Sequence, residues 1–136
     1  MRVILPFIVG GFIFYMSSKT GETSRMQSDF IVYYLTKIPL LSEIDFGTVS
    51  MMVRKIAHLF EYTILGFSTE SAFYRIDRQK SEKIAFLVSV AFAMTDEFHQ
   101  LFVDGRGGQI QDVLIDALGV MIGISLSAIF TKKLSK

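Results

Sequence analysis

The stretch Ile110-Gln-Asp-Val-Leu-Ile-Asp-Ala-Leu-Gly-Val-Met-Ile-Gly-Ile-Ser-Leu-Ser-Ala-Ile-Phe130 decides the fold. It is polar at its start, where Asp112 and Asp116 stand one helical turn apart, and apolar or small from Ala117 onward. A membrane helix needs roughly 20 mostly apolar residues, at about 1.5 Å each, to cross about 30 Å of hydrocarbon. This run has that length. Three other segments share its character: Val3 to Ser17, the shortest; Arg54 to Tyr74, polar where it begins; and Ile84 to Val103, polar where it ends. The expectation is an all-α, four-span transmembrane helical bundle. It forms a single domain over residues 1–136, with spans at roughly 3–17, 54–74, 84–103 and 110–130.

Composition agrees. The chain is 51% hydrophobic with a mean hydropathy of +0.44, high for a soluble domain of this size. Its 14 Lys and Arg face 13 Asp and Glu, so no bulk field favours nucleic acid. The absence of Cys excludes disulfides, thiolate metal sites and a cysteine nucleophile. Arg2 before an apolar run resembles a leader, yet Ser17-Ser18-Lys19-Thr20 offers no small-x-small cleavage site, so an uncleaved span is expected.

Cation placement orients the bundle. Arg2, Arg75, Arg78, Lys80, Lys83, Lys132, Lys133 and Lys136 occupy three short stretches that share one side. Lys19, Arg25, Lys37, Arg54, Lys55 and Arg106 are spread over longer connections on the other. Both termini and residues 75–83 are therefore expected on the cytoplasmic side, with 18–53 and 104–109 outside. In the long outer connection, residues 29–38 read as an interfacial amphipathic segment, with Ser28 as N-cap and Pro39 beyond its end. Tyr15, Tyr33, Tyr34, Tyr62 and Tyr74 suit interfacial anchors, although Tyr62 sits beside a polar cluster.

That cluster falls at one depth. Counted inward from the outer ends of the spans, His58, His99 and Asp112 lie roughly 6 Å down, and Glu61, Asp96 and Asp116 roughly 10–12 Å. The i,i+3 and i,i+4 spacings keep each pair on one helix face. Ionisable groups there cost about 2.5–3.5 kcal/mol each unless they meet one another. They must converge, with Arg54, Lys55 and Arg106 as countercharge and Gln100 and Glu97 extending the patch, although Glu97 is out of phase with Asp96 and open to facing another way. Nothing comparable is expected in the cytoplasmic half of the third and fourth spans, which reads Ile84-Ala-Phe-Leu-Val-Ser-Val and Ile124-Ser-Leu-Ser-Ala-Ile-Phe.

These residues carry a resemblance. Arg54-Lys-Ile-Ala-His58-Leu-Phe-Glu61-Tyr62-Thr-Ile-Leu-Gly66, then Asp96-Glu97-Phe-His99-Gln100-Leu-Phe, then Gly105-Arg106 and Asp112-Val-Leu-Ile-Asp116-Ala-Leu-Gly119, resemble the VanZ-like family of bacterial membrane proteins. Phe14-Tyr-Met-Ser17-Ser18 looks like that family's first-span ending. The resemblance covers the whole chain. It implies a four-span protein of the bacterial cytoplasmic membrane, linked to reduced susceptibility to glycopeptide antibiotics, teicoplanin especially. Asp116 departs from the pattern, which usually has Asn there.

Three functional classes remain open on the residues. In the first, Glu61 and Asp96 form a central acid/base pair, and His58 and His99 relay protons or orient them. Arg54 and Arg106 then hold an anion, with Gln100, Asp112 and Asp116 completing the binding site. Ser17 or Ser18 approaches from the first span as donor or nucleophile. In the second, the same pocket binds a membrane lipid or lipid-linked cell-wall precursor without turnover. The third is a polar network that only locks the helices. The carboxylate and His pairs at i,i+3 also suit a divalent metal such as zinc, manganese or iron. No three-His set is present, and Arg54 and Arg106 oppose a cation, so no cofactor is expected. Gly119 and Gly123 read as a helix-packing face, and Gly105-Arg106-Gly107-Gly108 as a tight turn.

Overall fold

A computed structural model describes residues 3–39, 43–73 and 77–134. Among them the protein is all-α, with helices α1 (Leu5–Ser17), α2 (Gly21–Leu35), α3 (Phe46–Phe73), α4 (Arg78–Gln100) and α5 (Ile110–Leu134). Arg2, Tyr74, Arg75 and Lys136 lie outside the described residues, as do the side chains of Arg78, Lys132 and Lys133.

Each helix start has a local cause. Pro6 sits in the first turn of α1, where a missing N–H costs nothing. Thr20 caps α2 by accepting the Thr23 N–H at 3.3 Å. Asp45 accepts the Thr48 N–H at 3.0 Å ahead of α3, and Asp77 accepts from Lys80 at 3.3 Å ahead of α4.

Two boundaries differ from expectation. The helix in the first long connection covers 21–35 instead of 29–38, and Ser28 lies within it. Its hydroxyl bonds back to the carbonyls of Ser24 and Arg25, so it caps nothing. Thr20 supplies an earlier cap, and the Gly21 N–H docks on the Asp104 carbonyl at 2.9 Å, which sets the start. Similarly, α3 begins at Phe46, eight residues before the expected entry at Arg54, because Asp45 nucleates it there.

The most extensive pairing is α3 with α5. The two run parallel in one register: Lys55 faces Asp112, Gly66 meets Val120, and Ser71 faces Ser127. A Cβ on Gly66, Gly119 or Gly123 would overlap a backbone carbonyl of the other helix, so these small residues let the backbones touch. Helix α4 runs antiparallel to α3, with Ser89 beside Thr69 and Ser81 beside Glu70. Helix α1 follows α4, as Gly10 against Phe92 and Ser17 on Asp96 show.

The distribution of side chains is inverted relative to a water-soluble core. Fully buried positions include Ser68, Ser81, Ser89, Ser127, Asp96 and Asp116 beside Ile13, Tyr62 and Val120. Large apolar side chains line the exterior of every long helix, with Phe7 77%, Phe60 65%, Leu87 67% and Leu114 66% exposed. Among the described residues one helical run, Ile110–Phe130, has the length and apolarity to cross a membrane, and α1 is a shorter apolar helix.

Candidate functional site

The polar residues gather where α1 ends, α4 ends and α5 begins, against the stretch 54–61 within α3. On the α1–α4 side, Ser17 Oγ donates to Asp96 Oδ2 at 2.7 Å. Gln100 Nε2 reaches the same oxygen at 3.2 Å and Glu97 Oε1 at 3.2 Å. Asp96 Oδ1 is buried without a hydrogen bond. Arg106, in the turn that Gly105 closes at φ 72°, braces this group. Its Nε donates to the Lys19 carbonyl at 2.8 Å, Nη2 to the Met16 carbonyl at 3.1 Å and Nη1 to Gln100 Oε1 at 3.3 Å. Burial draws the Arg106 guanidinium below its ordinary value, an effect that Asp96 opposes and Arg54 reinforces.

On the α3–α5 side, Lys55 Nζ bonds Asp112 Oδ1 at 2.5 Å. One turn deeper, His58 Nδ1 stands 3.4 Å from Asp116 Oδ1. The expected layering is therefore corrected by a turn: His58 is level with Asp116, and Asp112 with Lys55. The cause is the parallel α3–α5 register, which follows backbone contact at the glycines and not equal depth from Arg54 and Gly108.

Glu97 extends the patch and faces another way from Asp96. It is buried beside Asp96, and one of its ligand atoms lies within 4.8 Å of His58 and Asp116. Its Oε2 accepts the Gln109 N–H at 2.9 Å. Neighbouring residues on a helix diverge by about 100°. Since α4 is packed on both flanks, Asp96 meets α1 while Glu97 meets the start of α5. Tyr62 is completely buried in the core instead of at an interface, and its hydroxyl has no hydrogen bond.

A cavity of about 850 Å³ opens beside this network, between α2 and α3. Arg54, Lys55, His58, Glu61, Gln100, Arg106 and Asp112 line it. Met26, Phe30, Ile31 and Met51 form an apolar wall. Asp96 and Asp116 lie buried behind the lining, at 1% and 0% exposure. His99 stands apart: its ring stacks on Phe14 at 4.4 Å and its Nε2 meets Ser18 Oγ at 3.3 Å. Ser17 arrives as a hydrogen-bond donor to a carboxylate.

A second polar centre, at the opposite end of the bundle, escapes the sequence reading. Glu70 is 2% exposed and accepts from Ser81 Oγ at 3.2 Å and from Ser127 Oγ. Ser71 joins Ser127 at 2.9 Å. The expectation that the cytoplasmic half holds nothing comparable is thus corrected. The available signal was serine spacing: Ser127 on α5 and Ser81 and Ser89 on α4 lie on inward faces.

No curated protein and no solved structure matches the chain at a significant level. A family model described as VanZ/LLP1 matches residues 3–131, nearly the whole length, and the chain belongs to that family.

Proposed function

We propose that the chain is a four-span protein of the bacterial cytoplasmic membrane, with both termini cytoplasmic. Its cavity opens on the outer leaflet and binds, or acts on, an anionic amphiphile such as a membrane lipid or lipid-linked cell-wall precursor. The observation that carries this reading is the mixed lining of the cavity. Arg54, Lys55 and hydrogen-bonding groups share it with Met26, Phe30, Ile31 and Met51. An amphiphile needs such a lining, apolar for the tail and cationic for the headgroup. The apolar exterior of α1, α3, α4 and α5 supports four spans, since lipid tails solvate such surfaces and water does not.

Arg54 and Lys55 would hold the headgroup, with Arg106 bracing the turn above it. Glu61 faces the cavity and is the carboxyl group placed to exchange a proton with a bound headgroup. Asp96, fixed by Ser17 and Gln100, would position Gln100 at the cavity edge. The non-catalytic alternative, in which binding or assembly alters envelope accessibility, draws support from the same bonds. Three Arg106 donors are spent on internal acceptors, as a brace requires.

Teicoplanin susceptibility of a sensitive bacterium expressing wild type, Arg54→Ala or Glu61→Gln at matched membrane levels tests the reading. Protection lost in both variants supports headgroup binding coupled to proton transfer. Loss in Arg54→Ala alone selects binding without chemistry. Equal protection by all three removes the cavity from function.

A further inference from the structure

We propose that His58, Glu97 and Asp116 form a binding site for one divalent transition-metal cation, with zinc the best match. The inference stands apart from the amphiphile reading, because it concerns the buried network behind the cavity wall.

Three observations converge. One ligand atom from each residue lies within 4.8 Å of the others. Asp116 is completely buried, yet neither carboxyl oxygen makes a hydrogen bond, and the buried Nδ1 of His58 makes none either. Buried polar atoms are ordinarily paired; here His58 Nδ1 and Asp116 Oδ1 face each other without a hydrogen bond. The spacing also suits a metal. Bonds of about 2.1 Å in a tetrahedron place ligand atoms roughly 3.4 Å apart. His58 Nδ1 and Asp116 Oδ1 are 3.4 Å apart. An imidazole ligand disfavours calcium and magnesium, which take oxygen donors.

The surroundings are organised as metal sites require. Glu97 is already oriented by the Gln109 N–H and by Gln100, as a ligating carboxylate is by its outer partners. His58 lines the cavity, which gives a cation an entry path and a place for a fourth ligand. The objection drawn from the sequence was that arginines would repel a cation. In the folded chain Arg106 is turned onto the carbonyls of Lys19 and Met16, which leaves Arg54, one helical turn from His58 on the cavity lining, as the remaining opposing charge. Asp116 gains a role here as well, since an Asn at that position would offer a weaker, neutral ligand.

The test uses purified chain in detergent, stripped with a chelator and dialysed against zinc, with metal counted by mass spectrometry. Binding is followed by calorimetry and, with cobalt, by the visible absorption of a tetrahedral site. About one zinc per chain is expected in the wild type and in His99→Ala. His58→Ala and Asp116→Ala should bind at least about tenfold more weakly. Asp116→Asn and Glu97→Gln, which keep side-chain shape, should weaken binding with helicity unchanged, and they decide the matter if the alanine variants do not fold. Absence of zinc binding by the wild type overturns the site, as does equal binding by wild type and every variant. Lipid binding without zinc binding would leave the amphiphile reading standing and remove this one.

Discussion

Gly123 lies directly against the Thr63 carbonyl, so closely that a single methyl group on the glycine would overlap the oxygen. The contact is backbone to backbone, and no rotamer change relieves it. Gly123→Ala should therefore force α5 away from α3 and cost roughly 1–3 kcal/mol. Gly11, with open space around its Cβ position, is the control. Thermal unfolding in detergent should show a clear fall for Gly123→Ala and little change for Gly11→Ala.

The Glu70 centre yields a second expectation. Glu70→Leu removes the carboxyl acceptor that the buried Ser81 and Ser127 hydroxyls share and should lower stability by about 1–3 kcal/mol. Glu70→Gln keeps an acceptor oxygen and should retain most of the stability. Denaturation of the two variants beside wild type checks the order; equal stability would show that the serines find other acceptors at no cost.

Arg106 makes three hydrogen bonds in different directions from one planar group. A lysine carries the same charge as a compact point and cannot reproduce that fork. Arg106→Lys should therefore behave more like Arg106→Ala than like wild type. Proteolysis around residues 18–20 and 104–108 should become faster in both variants, and recovery of wild-type protection by Lys would show that charge alone suffices.

Gly21 meets the Gly105 backbone, and the Gly21 N–H bonds the Asp104 carbonyl. With Ser28 and Asp29 on Ser50, this contact pins α2 over the cavity. Gly21→Ala should lift the start of α2. Because the chain has no Cys, a single Cys placed at Ala57 on the cavity wall reports the change. Its modification by a water-soluble thiol reagent should speed up in the Gly21→Ala background.

The same cysteine-free background tests the topology. Gly107→Cys should react with an impermeant reagent added to intact cells, and Gln79→Cys only after the cells are opened. Both positions are exposed in the fold, so the reversed pattern would invert the proposed orientation.

What the sequence reveals depends on how many neighbours a helix has. His58, Asp112 and Asp116 were legible because one-turn spacing marks a face, and α3 and α5 each turn that face toward the other. Glu97 was legible as part of the patch, but its partner Gln109 was not, because α4 is covered on both flanks and spacing alone does not say which neighbour each face meets. The start of α2 was displaced because Ser28 has the chemistry of a cap, whereas Thr20 has both the chemistry and the docking contact of its neighbour Gly21. Glu70 was hidden among serines and threonines, whose inward placement only three-dimensional packing reveals. The one-turn error at His58 arose from measuring depth along separate helices when glycine contacts set their relative height.

The glycine contacts between α3 and α5 have a mechanical consequence. They oppose sliding of one helix along the other, so the pair acts as a ruler of fixed length. His58 and Glu70 sit twelve residues apart on it, about 18 Å at the helical rise. An event at the cavity cannot reach the Glu70 end by moving α5 along α3. Movement between the two ends is left to α1 and α4, which are held at the site partly by side-chain hydrogen bonds, Ser17 on Asp96 and Arg106 on Gln100, that break and reform more easily than interlocked backbones.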